Sequence, residues 1–250
     1  MEKHVLLVPL FFLTALVYSM AGLGGGSTYL AILTLFSFPH ELTPKVALFC
    51  NLVVAANGSY LFYKGGHLSL KKILPFAATS IPAAYLGGSL SIGKTLFSIL
   101  LGIVLLMAAL RMFLSDQAFV SKKEISWKHA WRVGLPLGIF LGALSGLVGI
   151  GGGIFLGPLL LFLGWADVKQ AAASSSLFIL VNSISGLLGQ FSKGGLHWEG
   201  PSLLLLMGAV FVGGQIGSRL GVGRIPKLAL QRITALLILV VSVRILWACV

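Results

Sequence analysis

The chain has 250 residues, 57% hydrophobic and 10% charged, with a mean hydropathy of +1.01. Soluble domains carry about a quarter charged residues, so an ordinary soluble domain is excluded, and continuous apolar blocks exclude a β-barrel, which would alternate in segments of ~10 residues. The net charge of +12 lies in short loops between the apolar blocks; this is the positive-inside pattern of a membrane protein, supplemented by attraction to anionic lipid, and the expected partner is the lipid bilayer, with no nucleic acid.

The first element, "VLLVPLFFLTALVYSMA" at 5–21, follows Lys3 and ends in small residues, as a signal peptide would. It is expected to stay in the mature fold because it has a counterpart later in the chain. It runs into "GLGGG" at Gly22–Gly26, where four glycines in five positions stop a helix, each costing about 1 kcal/mol relative to Ala. Apolar segments then follow at 27–38, 46–63, 70–91 and 95–114. The stretch from Ser115 to His129 is the one substantial linker, expected to be cytoplasmic. After it come segments at 132–148, 154–164, 168–191, 201–218 and 227–249, the first of them ending in "GIGGG" at Gly149–Gly153.

The two halves repeat at an offset near 127. "YKGGHL" at Tyr63 pairs with "SKGGLH" at Ser192, "AAYLGGSL" at Ala83 with "AVFVGGQI" at Ala209, and the last segments align with Lys94 over Lys227 and Arg111 over Arg244. The expected fold is an all-α polytopic membrane protein of two repeats, 1–114 and 130–250 about a linker at 115–129. Each repeat holds about five hydrophobic segments, eight to ten in total, with one Gly-broken helix. If every segment changes sides, the halves are inverted and thirteen of the eighteen Lys and Arg fall in the cytoplasm. If each break is a hairpin contributing one crossing, the halves are parallel and the split is eleven to seven. Charge therefore favours inversion.

Inverted repeats with Gly-interrupted segments at matching positions point to a transporter site near the bilayer midplane. Irregular backbone survives at that depth only when buried in protein or lining a wet cavity. The segment after each break starts with unpaired N–H groups and the positive end of a helix dipole, both of which attract anions. Candidate ligands of a small anionic substrate are therefore Gly24, Gly25, Gly26 and Ser27 at the first break and Gly151, Gly152 and Gly153 at the second. Polar side chains at membrane depth form a second set: Asn51 and Asn57 on segment three, Ser174, Ser175, Ser176 and Asn182 on segment eight, and Gln215 on segment nine. Hydroxyls and amides can hold a partly desolvated oxyanion without a full countercharge.

All six acids and all five histidines lie in loops or at segment ends, leaving no mid-span proton relay of the usual kind. Arg111, Arg232 and Arg244 lie near segment ends and are read as snorkelling cations, a substrate role for any of them being the other reading. No base stands at membrane depth to activate a serine, no His/Glu set has metal-ligand spacing, and no P-loop is present. No enzyme, cofactor or metal is expected. Cys50 and Cys249 read as inert buried thiols.

Two repeats that each open with a long apolar helix into "G[LI]GGG", with "GGS" at Gly87 and "GGQ" at Gly213 before the last span of each half, resemble the TauE/SafE family of sulfite exporters. The resemblance covers essentially the whole chain. It implies a permease of the bacterial cytoplasmic membrane for sulfur-containing anions such as sulfite, sulfonates, sulfoacetate or thiosulfate. A passive anion channel and a non-transporting membrane scaffold are the other readings of the same features, and a homo-oligomer is left open.

Overall fold

The structure, a computed structural model, describes residues 6–39, 42–90, 126–192 and 203–247, with 106, 109–110 and 113–114 between them. Segment 95–114, most of the linker, Arg111 and Cys249 fall largely or wholly outside the described residues. Within them the chain is helical, with no strand. In order come α1 (Leu7–Met20), α2 (Gly26–Leu35), α3 (Thr43–Lys64), α4 (Leu70–Ser89), α5 (Trp127–Val148), α6 (Gly153–Phe162), α7 (Val168–Phe191), α8 (Leu203–Arg219) and α9 (Lys227–Trp247). A π-helical turn at Leu220–Arg224 extends α8.

Four of these elements are long and apolar enough to cross a membrane: α3, α5, α7, and α8 with its π-turn. The distribution of residues across the bundle is that of a lipid-embedded protein. On α8 the exposed positions include Leu204, Leu205, Phe211, Val212 and Ile216, while Gly213, Gly214, Gly217 and Ser218 are buried together with Leu206 and Val210. Small residues face the bundle because membrane helices gain stability from close packing rather than from hiding apolar surface from water.

Helix ends follow local chemistry. α1 closes in a Schellman motif: Leu23 N–H donates to Tyr18 O, Gly22 N–H to Ser19 O, and Gly22 takes φ +71°. α2 closes the same way through Ser37 at φ 60°, a left-handed serine. At the matching end of α6 the left-handed residue is Gly164. Asp167 caps α7 in a capping box with Gln170, its carboxylate accepting from Gln170 N–H at 2.9 Å. α5 begins at Trp127 rather than at 132, within the stretch read as linker. Lys128, His129 and Arg132 made that turn look extramembrane. The helix continues through them, with Trp127 and Trp131 in edge contact at 5.6 Å, as aromatic residues at a membrane interface do.

Three helix pairs organise the bundle. α4 lies along α5, where Gly134, Gly138, Gly142 and Gly146 meet Pro75, Phe76, Ser80 and Ala84 in ascending order, so the two run parallel. α8 lies along α1 in the same way, Gly213, Gly217 and Gly221 meeting the carbonyls of Phe12, Leu16 and Met20. Between these pairs α3 crosses α7 antiparallel: Leu48 meets Gly186, Ser176 Oγ donates to Ala55 O at 3.2 Å, and Phe62 packs with Ala172 and Ala173. One end of the bundle is stitched by charge. There Lys72 Nζ donates to Gln170 Oε1 at 2.7 Å, Lys169 Nζ to Val222 O at 2.6 Å, and Lys227 pairs with Asp167 at 2.9 Å.

Candidate functional site

Each glycine break folds the chain back on itself. Gly25 caps α2 in the left-handed region at φ +87° and lies against Thr14, within 2.8 Å of its methyl measured from an ideal Cβ. Three residues on, Thr28 Oγ1 donates to Tyr18 OH at 2.7 Å, and Tyr29 stacks on Phe11 with ring centroids 4.7 Å apart. α2 thus runs back along α1. In the second half Gly152, at φ +74°, lies against Ser145 and Leu141 O. α6 runs back until Trp165 meets His129 in the first turn of α5, at 5.9 Å between ring centroids. A 10-residue helix spans only ~15 Å against a hydrocarbon core of ~30 Å, so neither α2 nor α6, each of 10 residues, crosses alone. Sequence reading had each break contribute one or two crossings; the hairpins instead return the chain toward the side from which it entered.

The tips of the two hairpins meet. Asn51 Nδ2, on α3 and fully buried, donates to Ile150 O in the second break at 3.0 Å. A Cβ on Gly24 or Gly26 would collide with the Asn51 amide, and one on Gly26 would also come within 3.0 Å of Ile150 O. At the second break a Cβ built on Gly151 would lie 2.9 Å from Ile179 Cγ2 and 3.1 Å from Asn51 Nδ2 and Ser183 Oγ, and one on Gly153 would lie 2.6 Å from Ser175 O. Asn51 and Ile179 stand in the middle thirds of α3 and α7, so the breaks meet at mid-depth of the bundle.

Electrostatically the meeting of the two breaks is positive. Neither α2 nor α6 has a side-chain cap. Among the described residues the N–H groups of Gly24, Gly25, Gly26 and Ser27, and of Gly151, Gly152, Gly153 and Ile154, meet no acceptor. The positive ends of two helix dipoles face the same small volume, each equivalent to about half a charge. Buried side-chain atoms there are also unpaired: Asn51 Oδ1, Ser145 Oγ, Ser175 Oγ and Ser183 Oγ. Such orphans cost free energy in a low-dielectric interior and call for a polar occupant.

The remaining predicted residues divide. Ser175 lies against Gly153 and Gly157 of α6. Ser176 turns to α3, meeting Ala55 O and Ser59, and acts as an interhelical bond. Ser174 is buried with its hydroxyl unpaired. Asn182 donates back to Phe178 O at 2.8 Å and leaves Oδ1 unpaired. Asn57 and Gln215 are half-buried, each with one unpaired atom, and no contact ties them to the breaks. Ser27 contributes its carbonyl to Arg244 of α9. Sequence reading did not single out Ser145, Thr14 or Tyr29. Ser145 stands one helical turn before Gly149, so spacing from the break was the signal for it.

A helical bundle with exposed apolar side chains, paired re-entrant hairpins and buried polar groups where they meet fits a membrane transport protein, and known proteins bear this out. Residues 7–245 match the family described as "Sulfite exporter TauE/SafE". A probable membrane transporter protein of Sinorhizobium fredii, y4hK, is 32% identical over 243 residues, covering 95% of this chain and 96% of the relative. A probable membrane transporter protein of Bacillus subtilis, YunE, is 28% identical, covering 86% of this chain and 88% of the relative. A third such protein, from Methanocaldococcus jannaschii, is 28% identical over 74% of this chain and 73% of its own length. No solved structure matches the chain. The chain belongs to the TauE/SafE family of membrane transporters.

Proposed function

We propose that the chain is a secondary transporter of small sulfur-containing anions such as sulfite, sulfonates, sulfoacetate or thiosulfate, acting in the bacterial cytoplasmic membrane. One observation carries this reading: two uncapped half-helix N-termini converge on the buried amide of Asn51 at mid-depth. Backbone N–H groups of Gly24–Ser27 and Gly151–Ile154, with the hydroxyls of Ser175 and Ser183, supply donors for an oxyanion. Asn51 Oδ1 supplies one acceptor, for a water or for a proton carried on the anion. The substrate class is supported by the family's description and by this donor-rich centre.

Alternating access follows from the way the breaks close on each other. Gly24, Gly26 and Gly151 leave no room at Asn51 even for a methyl group without a shift. An anion enters only when the halves part, and inverted halves part first toward one face and then toward the other. Inversion is supported by the antiparallel crossing of α3 and α7, which hold matching places in the repeat. With each hairpin contributing no net crossing, three crossings per half remain once segment 95–114 is included. That number is odd, and it leaves thirteen cations in the cytoplasm and five outside. A reporter fused after Val250 is expected to be active on the outer side; cytoplasmic activity overturns the inversion.

Purified protein in liposomes should take up sulfite or a sulfonate with saturable kinetics. Gly25→Leu and Gly152→Leu should each abolish uptake while the protein still inserts. Flux that rises linearly with concentration would make the protein a channel. Absence of flux for every anion tested, across inward and outward gradients, would remove the transport reading in favour of a scaffold.

A further inference from the structure

We propose that Arg244 is the charge-selecting residue of the anion path, presenting its guanidinium to the substrate at the first glycine break; the assignment rests on the anion-transport reading above. Arg244 lies in the last turn of α9. Side chains on a helix lean toward its N-terminus, so a cation in the last turn of a spanning helix leans into the bundle, whereas one in a first turn leans out to the interface. The Arg244 head follows that direction. Its Nη1 donates to the carbonyl of Ser27, the second residue of α2, and so reaches the hairpin whose N-terminus forms half of the central site. The reading of Arg244 as an outward-snorkelling cation gives way to this inward contact.

Three further observations make the contact more than a helix staple. Arg244 is exposed. A guanidinium facing hydrocarbon is strongly disfavoured, and intramembrane cations face bundle interiors or water-filled cavities; the residue is exposed while its guanidinium contact with Ser27 is part-buried, which puts the head between the first break and the surface. α1, the break, α2, α7 and α9 contain no Asp or Glu, so among the described helices that pack with α9 the charge meets no acid. The contact with Ser27 uses one of five guanidinium N–H donors, leaving the planar fork to take an oxyanion in bidentate fashion. The start of α2 is tied to α1 by Thr28 Oγ1, which donates to Tyr18 OH at 2.7 Å. The α2 dipole and the Arg244 charge add at one point, so an anion arriving from this face meets its full positive potential there.

The test is sulfite uptake by proteoliposomes, with initial rate followed against sulfite concentration for wild type, Arg244→Gln and Arg244→His. Arg244→Gln is expected to raise KM about ten- to a hundredfold, the range of a lost charge-assisted hydrogen bond, with kcat within about threefold of wild type. Arg244→His is expected to act as a titratable substitute: its KM relative to wild type falls severalfold from pH 8 to pH 5.5, the ratio cancelling sulfite's own protonation. A KM within twofold of wild type for Arg244→Gln overturns the assignment while leaving the transport reading intact. A pH-independent ratio for Arg244→His overturns it equally, and decides the matter alone if the glutamine variant does not fold. No uptake by wild type removes the transport reading and this assignment with it.

Discussion

The meeting of the first break with α3 can be measured by a double-mutant cycle on Gly24 and Asn51. Gly24 does not have positive φ, so alanine there adds no backbone strain and its cost is purely steric. The new Cβ would lie 2.9 Å from Asn51 Cγ, and closer still to Oδ1, with Ile179 Cγ2 next at 3.3 Å. Overpacking of this kind costs ~1–3 kcal/mol. Asn51→Ala removes the 3.0 Å bond to Ile150 O and leaves a buried carbonyl unpaired, which costs about 1–3 kcal/mol. In the double variant the amide that the added methyl would strike is gone, and 3.3 Å to a flexible isoleucine methyl is tolerable. The steric cost of Gly24→Ala should therefore nearly vanish, giving a favourable coupling of ~1–3 kcal/mol. Reversible unfolding of the four proteins in mixed micelles, followed by circular dichroism, gives the numbers. Additivity within about 0.5 kcal/mol would mean that Gly24 and Asn51 do not touch, and the central site as described would fall.

Two further predictions concern the rim of the bundle. Burial alone would raise the carboxyl pKa of Asp167, but the Gln170 N–H and the Lys227 ammonium outweigh it and hold it below the ordinary value. Its stabilising effect is therefore complete above the unfolded carboxylate pKa of ~3.9 and is lost as pH falls through the lower folded value. Asp167→Asn, which can still cap, should cost under ~1 kcal/mol, the value of a half-exposed pair, and Asp167→Ala about 1–2 kcal/mol through the lost cap. The transport pH profile should be unchanged in both, and a shifted profile would make Asp167 part of a proton relay. Ser37→Gly should raise unfolding stability by about 1 kcal/mol, because Ser37 is a non-glycine residue at φ 60° and αL costs L-residues ~1–2 kcal/mol; a neutral or negative change in a thermal melt would count against that geometry.

The doubled break was legible because glycine in an apolar run is costly in either helix or strand, and because repetition at a fixed offset is visible without a structure. The polar follow-on segments were legible for the same reason. Helical phase was harder to read. Ser174, Ser175 and Ser176 are consecutive, so they point in three directions about α7, and α6, α3 and the interior each receive a different one. Asn51 and Asn57 are alike in type and segment, but six residues turn a helix by roughly 240°; only Asn51 faces the break. The direction of the chain after each break depended on Gly25 and Gly152 being left-handed and on the stacking of Tyr29 on Phe11, pairings that no spacing rule anticipates. Arg244 stands near a segment end, and spacing alone does not show which way the helix turns its head; the contact with Ser27 O comes only from the fold.

At the centre, the likeness of the halves breaks down at one pair of residues. Ile179 holds in α7 the place that Asn51 holds in α3, since each is approached by both Gly24 and Gly151. Two matching backbone cradles thus share one amide and one isoleucine, and Ile179 is an apolar patch on an α7 wall that also carries the Ser175 and Ser183 hydroxyls. Oxyanions of tetrahedral or pyramidal shape with one non-oxygen substituent, the sulfonates among them, have the same mixed character. In the proposed site their oxygens would turn to the backbone N–H groups and the hydroxyls of Ser175 and Ser183, and the substituent to Ile179. An anion with oxygens on every side, such as sulfate, would leave an oxygen unpaired against Ile179, at the cost of a buried unsatisfied polar atom. Ile179→Asn should therefore improve sulfate uptake relative to sulfonate uptake. If the ratio of the two rates does not move while both are transported, Ile179 does not face the bound anion.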